Sequence, residues 1–135
     1  MGAWSEETFG NDTACDWVGD FLEEPGIAKV NQTLEAVVAE QDYLDSDVAC
    51  EALAACEVIA RLKGNWGRKD PYSEKLDRWI ESNSQEIPAE LVSKAGAVIA
   101  KILGEKSELV ELWDEGGRNE VWHGKVNDLA KRVSE

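Results

Sequence analysis

An all-α protein, a single compact domain of six or seven helices in an antiparallel or orthogonal bundle spanning residues 1–135, is predicted by three features of the sequence. Apolar residues recur at three- and four-residue spacing. The two-residue alternation of half-buried strands is nearly absent, and Gly and Pro fall between the periodic segments. A length of 135 residues with 43% hydrophobic content is one ordinary domain with material for a real core.

The first helix starts at Asn11, a good N-cap, and runs to Glu23. Ala14, Trp17, Val18, Phe21 and Leu22 form its buried stripe, and Asp12, Asp16, Asp20 and Glu23 face away. Pro25-Gly26 ends it. A second helix covers Ile27 to Gln41, with Ile27, Val30, Leu34, Val37 and Val38 inward. Asp45 or Ser46 caps a third, which runs to Lys63 with Gly64 at C′. Its main face is Ala49, Ala52, Leu53, Cys56, Ile59 and Ala60, but Ala54, Ala55 and Val58 lie on other sides, so this helix is expected to be central. After an N-W-G-R-K-D-P-Y loop, a short helix from Ser73 to Ser82 carries Leu76, Trp79 and Ile80. Pro88 fits position N1 of a fifth helix ending at Gly104. Its Gly96, Ala97 and Ala100 suit close approach of a neighbour. Ser107 caps a short sixth helix, which Glu115-Gly116-Gly117 breaks. The last helix, from about Arg118, places Val121, Trp122, Val126, Leu129, Ala130 and Val133 inward.

The chain carries 28 acids against 14 bases, for a formal charge of −14. That argues against direct nucleic-acid binding, which needs clustered Lys and Arg at the phosphates. No Walker A, G-x-G-x-x-G or G-x-S-x-G sequence is present, and no apolar run reaches the length of a membrane span. One histidine, His123, rules out a histidine-rich metal centre, and it is read as a surface or cap-satisfying residue near Glu120. The nearest approach to a calcium loop, Asp42 to Asp47, lacks the glycine and the closing Glu. No cofactor, no metal and no catalytic residue is therefore assigned, and the protein is not expected to be an enzyme. Carboxylate pairs are too abundant to single out a two-acid hydrolase. Three cysteines without a CxxC are a poor disulfide or zinc framework; Cys56 reads as a small core residue, and the acids around Cys15 should raise its thiol. Met1 to Glu6 lacks the basic and apolar regions of a signal peptide, so a cytoplasmic protein with reduced thiols is expected. A monomer is the simplest assembly, and nothing in the sequence specifies another.

The charge is lopsided. Residues 1–60 hold 14 acids and one base, Lys29, for a net of −13; residues 61–135 hold 14 acids and 13 bases, for a net of −1. Asp12, Asp16 and Asp20 repeat every four residues, as do Asp47 and Glu51, where like charges repel by about 0.2–0.5 kcal/mol per pair. Folding does not need such a surface. It is explained by solubility or by docking of a basic protein, since a concentrated anionic field speeds encounter with a cationic partner. On the docking reading the contact residues are Asp16, Asp20, Glu23, Glu24, Glu40, Asp42, Asp45, Asp47 and Glu51. Trp17, Trp79, Trp113 and Trp122 occupy apolar helical positions, and Trp4 precedes the first helix as a staple across its base. Trp66, in a Gly-flanked loop beside Arg68 and Lys69, is either a loop anchor plugging the core or an exposed interface anchor.

Met1-Gly2-Ala3-Trp4, Phe9, Asn11-Asp12, Ala14 and Asp16-Trp17 at one end, with Ser107-Glu108-Leu109, Glu111-Leu112-Trp113, Trp122 and Leu129 at the other, resemble the pattern of a bacterial family, domain of unknown function family 4259. Ser5-Glu6 departs from the Gly-Thr usual there. The resemblance implies a small helical domain and no established activity. In size, charge and expected compartment the chain is also similar to immunity proteins of bacterial toxin systems, including contact-dependent growth inhibition. The functional expectation is an antitoxin-like immunity protein whose acidic N-terminal surface binds a cognate basic toxin domain, with a nuclease as one such toxin. The alternatives are an acidic scaffold or interaction protein without a toxin partner, an acid-dependent hydrolase with a carboxylate-lined cleft, and a mimic of DNA.

Overall fold

In the computed structural model, which describes residues 3–83 and 85–135, the chain forms seven helices among the described residues: α1 (Asp12–Glu23), α2 (Ile27–Ala39), α3 (Ser46–Leu62), α4 (Glu74–Ser82), α5 (Ala89–Ile102), α6 (Glu108–Trp113) and α7 (Glu120–Ser134). No strand occurs among the described residues, only isolated bridges pairing Ala3 with Asn11 and Leu44 with Ser107. The N-caps read from the sequence are in place. Asn11 accepts from the Ala14 amide at 2.8 Å, Asp45 from the Asp47 and Val48 amides at 2.8 and 3.2 Å, and Ser107 from the Val110 amide at 3.5 Å. Gly64 sits at φ +88°, a backbone conformation that residues with side chains rarely adopt, and it closes α3 as expected.

Helix α3 is the axis of the fold, and each of the other six helices packs against it. From Ala49 to Arg61 every residue but Glu51 is buried. Alanine and cysteine on several sides let neighbours approach from all directions, and a helix apolar all round is stable only in such a setting. Around it Phe21, Leu34, Leu76, Ile99, Ile102 and Leu129 are fully buried. Each such side chain contributes about 1.5–3 kcal/mol relative to exposure.

Several boundaries and faces differ from the expectation. Helix α2 stops at Ala39, because Glu40 turns extended (ψ 120°) and its carboxylate accepts from the Gln41 amide at 3.1 Å. Ser73 and Pro88 are N-caps, one position before their helices begin, and α7 starts at Glu120 behind the Asn119 cap. Val38 and Val121 are exposed: the inward stripes run through Val37 and Trp122, and each valine lies about 100° round the helix from them. Gly96, Ala97 and Ala100 face solvent, since α5 packs through Leu91, Ala95, Val98, Ile99 and Ile102. Trp17 and Trp122 are core residues, whereas Trp79 and Trp113 pack on its rim. Trp4 is not a staple; it is 47% exposed with its ring 5.1 Å from that of Tyr72.

His123 is buried rather than on the surface. Its Nε2 lies 2.9 Å from Asp114 Oδ2, across the Gly116-Gly117 turn, and not on Glu120. Asp114 also accepts from the Asn119 amide at 2.9 Å. That backbone bond, and then His123, hold the Asp114 carboxyl below the usual aspartate range. The C-terminal ends of α2 and α7 are closed by lysines and an amide: Lys101 donates to the carbonyls of Val37 and of the C-cap Glu40, and Lys63 and Asn65 donate to the Val133 and Arg132 carbonyls of α7.

Candidate protein-docking surface

The acids of the first 60 residues divide three ways: Glu7 and Glu35 pair with Lys125 and Lys94 at the surface, Glu57 is buried, and the candidate contact residues are in no ion pair among the described residues. Glu57 is the buried one. It lies in α3 with Arg61 one turn on, and the pair anchors a network of four charged side chains. Arg61 Nε donates to Glu57 Oε1 at 3.2 Å, its Nη1 bonds Asp77 of α4, and its Nη2 donates to the Arg68 carbonyl at 2.8 Å. Arg132 of α7 grips Glu57 through two bonds of 3.0 Å, and Thr8 and Ser73 donate to Glu57 and Asp77 at 3.0 and 2.7 Å. Burial pulls the Arg132 guanidinium down, but bonds and charge from Glu57 and Asp128 outweigh it and hold it above its ordinary value. Two guanidiniums and two carboxylates balance, and among the described residues no buried side-chain polar atom lacks a partner. A Cβ on Gly67 would stand 2.8–2.9 Å from the Arg132 guanidinium, so a side chain there would have to displace that guanidinium.

The nine carboxylates read as contact residues take the third course. Asp16, Asp20, Glu23, Glu24, Asp42, Asp45 and Asp47 are exposed, and Glu40 and Glu51 are half-buried. Among the described residues none of the nine is in an ion pair. The structure brings four of them together. Thr13 of α1 donates to Asp47 of α3 at 3.1 Å, which ties the two helices edge to edge. Partial burial pushes the Glu51 carboxyl up; the lone base Lys29 draws it back, and Asp47, Asp20 and Asp45 push it up again. A carboxylate whose ionisation is resisted by three neighbours sits within one anionic cluster.

The remaining five lie apart from that cluster or around its edge. Glu24 borders a groove with Pro25, Gly26, Ala28, Lys29 and Gln32. Glu40 and Asp42 line a groove with Lys101 and Lys106 from the C-terminal half, so positive charge dilutes that flank. Asp16 stands with Asp12 and Asp70 around Cys15, whose thiol is raised by burial and then by these three acids. By contrast, in the groove formed by Lys69, Asp70, Pro71, Glu74, Asp77, Arg78 and Glu81, every carboxylate is in an ion pair. No group of three or more His, Cys, Asp and Glu side chains among the described residues is placed to hold a metal ion.

Trp66 takes the loop-anchor position: it is half-buried against the core, with the Lys69 ammonium 3.9 Å and the Arg61 guanidinium 5.8 Å from its ring. The exposed aromatics are Trp4, Tyr43 and Tyr72. Sequence reasoning passed over Tyr43, which stands among Asp42, Asp45 and Glu40. Its hydroxyl donates to Glu111, and that bond pushes it up to about 12. Cys50 is pushed up to about 12 by burial and then by Asp47, Glu51 and Asp45, and buried Cys56 is raised as well. All three cysteines are free thiols.

Fold and surface together define a small all-helical protein with a buried, charge-balanced ion network and an anionic edge whose carboxylates form no ion pair among the described residues. The chain belongs to the family of the domain of unknown function DUF4259, whose model matches residues 2–125. The match takes in Glu57, Arg61 and Asp77 and stops short of Arg132. No curated protein and no solved structure matches the chain. No helix among the described residues is long and apolar enough to cross a membrane.

Proposed function

We propose that the protein is an antitoxin-like immunity protein that binds a basic bacterial toxin domain through the acidic edge of α1 and α3. The observation that carries this reading is the Asp20, Asp45, Asp47 and Glu51 cluster, which solvent reaches and no arginine or lysine of the chain neutralises by pairing. The cluster costs folding free energy through like-charge repulsion, and a cationic surface from outside relieves it. A nuclease is the toxin chemistry that fits, because its substrate groove must be cationic. On this reading the protein works in the cytoplasm, where Cys15, Cys50 and Cys56 stay reduced.

The partner to test is the variable C-terminal domain of a large secreted protein encoded directly upstream. Co-expression with this chain should restore growth of cells producing that domain. Changing Asp45, Asp47 and Glu51 to Lys should slow association by at least about tenfold at low salt and flatten its salt dependence, as loss of electrostatic steering requires. Absence of such a frame, or growth left unrescued, would sink the toxin reading. An unchanged association rate would show that the wrong face was chosen.

A further inference from the structure

We propose that the extended segment at residues 42–47 is an open strand edge that takes up an extended basic segment of the protein partner by main-chain pairing, an inference that rests on the partner class proposed above. The segment joins α2 to α3 and is laid along the chain entering α6. Leu44, 1% exposed, forms a parallel bridge with Ser107: its amide donates to the Lys106 carbonyl at 2.8 Å, and its carbonyl accepts from the Glu108 amide at 3.0 Å. In an extended chain the main-chain groups of neighbouring residues point to opposite edges. The Tyr43 carbonyl and the Asp45 amide therefore face away from α6, and among the described residues neither has a hydrogen-bond partner. They offer outward what Lys106 and Glu108 offer to Leu44, a carbonyl and, two residues on, an amide. Asp45 is extended (φ −64°, ψ 140°), and Tyr43 and Asp45 are both exposed, so this edge lies at the surface. An unpaired edge is a template for one more strand.

The edge is held in shape before anything binds. The Ser46 amide donates to Glu108 Oε1 at 2.8 Å, the Tyr43 hydroxyl donates to Glu111, and Asp45 accepts from the Asp47 and Val48 amides. That lowers the ordering cost of docking. Charge selects the occupant. Asp42, Asp45 and Asp47 are exposed and in no ion pair among the described residues, and the sequence carries no Lys or Arg between Lys29 and Arg61. Across the bridge, the Lys101 ammonium is spent on the Val37 and Glu40 carbonyls, which leaves Lys106 beside Asp42. Side chains two apart on a strand share a face, so Tyr43 and Asp45 stand together on the side opposite buried Leu44. An Arg or Lys at every second position of the incoming strand falls beside the Asp45 carboxylate and the Tyr43 ring, which is 48% exposed and adds a cation–π contact. A second copy of this strand is a poor occupant, because it sets its aspartates against these.

The test uses the full chain and two probes: a nine-residue peptide alternating Arg and Thr, and the same peptide with every main-chain nitrogen methylated, which keeps the charge and removes the donors. Solvent exchange of the Asp45 amide is followed by NMR at low salt. The unmethylated peptide should slow that exchange at least about tenfold. It should bind at least about fivefold more tightly than the methylated one, the least that two main-chain bonds are worth. Equal binding of the two peptides, or an Asp45 amide that exchanges as before, overturns the inference. So does an Asp45 amide that becomes protected in the chain alone as its concentration rises, the mark of a second copy on the edge. Asp47→Lys combined with Glu51→Lys leaves residues 43–45 in place and separates this inference from the parent reading. If that variant releases both peptides alike and neither had protected Asp45, strand pairing is wrong and the acidic edge of α1 and α3 stands. If the variant keeps its affinity and its preference for the unmethylated peptide, the strand edge stands and the acidic edge is wrong.

Discussion

Replacing Asp77 with alanine measures what the buried ion network contributes. In the native protein Arg61 and Arg132 share two carboxylates, Glu57 and Asp77, and the Arg61 and Asp77 side chains are 1% and 7% exposed. Without Asp77 the buried Arg61 keeps only Glu57, which Arg132 already grips, and its Nη1 loses its carboxylate in a place that water does not reach. Ser73 also loses its 2.7 Å acceptor. Leaving one partner of a buried pair uncompensated costs about 3–5 kcal/mol. At about 2.1 cal/mol/K of unfolding entropy per residue, a chain of this length should lose about 10–18 °C in Tm. The double variant Asp77→Leu with Arg61→Met removes both charges and leaves Glu57 gripped by Arg132 through its two 3.0 Å bonds. It should recover most of the loss, because replacing both partners by apolar groups is often neutral. Thermal unfolding followed by circular dichroism, with urea titration for the free energies, reads both. A Tm drop below about 3 °C for Asp77→Ala, or a double variant worse than the single, would refute the reasoning.

The acidic cluster should trade stability for charge. Glu51→Gln should raise Tm modestly at neutral pH, chiefly by relieving the burial of a charged carboxyl; the loss of Asp47 repulsion, worth about 0.2–0.5 kcal/mol, adds to the gain, and the loss of attraction to Lys29 takes part of it back. Added salt should shrink the part that comes from repulsion. The sign with pH follows from the upward shift of Glu51. Its folded-state value lies above its unfolded one, so the ionised form costs stability above that value and the cost disappears as pH falls through it; the advantage of the Gln variant should vanish there. Asp114 behaves oppositely: its lowered value means its stabilisation is present above about pH 4 and is lost as pH falls below it. Gly67→Ala should destabilise by about 1–3 kcal/mol, because moving the Arg132 guanidinium aside weakens its bonds to Glu57 and Asp128; a double-mutant cycle with Arg132→Ala should show most of that penalty gone.

The parts of the fold legible in the sequence are those set by local chemistry. Alanine, cysteine and valine on several sides of residues 49–60 announced a helix buried all round, and the caps Asn11, Asp45 and Ser107 depend on neighbours two or three positions away. Val38 and Val121 escaped because periodicity marks the centre of a buried stripe better than its edge, and the edge is drawn by the neighbouring helix. His123 pairs with a residue nine positions back, beyond a glycine turn whose path only tertiary packing decides. The ion network was half visible. Glu57 and Arg61, four apart in an otherwise apolar helix, are an internal pair on their face; Asp77 and Arg132 meet them across 16 and 75 residues. For the candidate surface, charge asymmetry located the acids but not their grouping. Asp20 joins Asp45, Asp47 and Glu51 only because α1 packs beside α3.

The grip of Arg132 on Glu57 also bears on how the chain is made. When Glu57 is added to the growing chain, the residue that completes its buried carboxylate is still 75 codons from being translated. Until α7 arrives, Glu57 has no bidentate partner and one side of the central helix is uncovered. A domain whose middle element needs its last one cannot be finished piece by piece, so nascent chains ending before residue 120 should be clients for chaperones rather than half-built copies of the native fold.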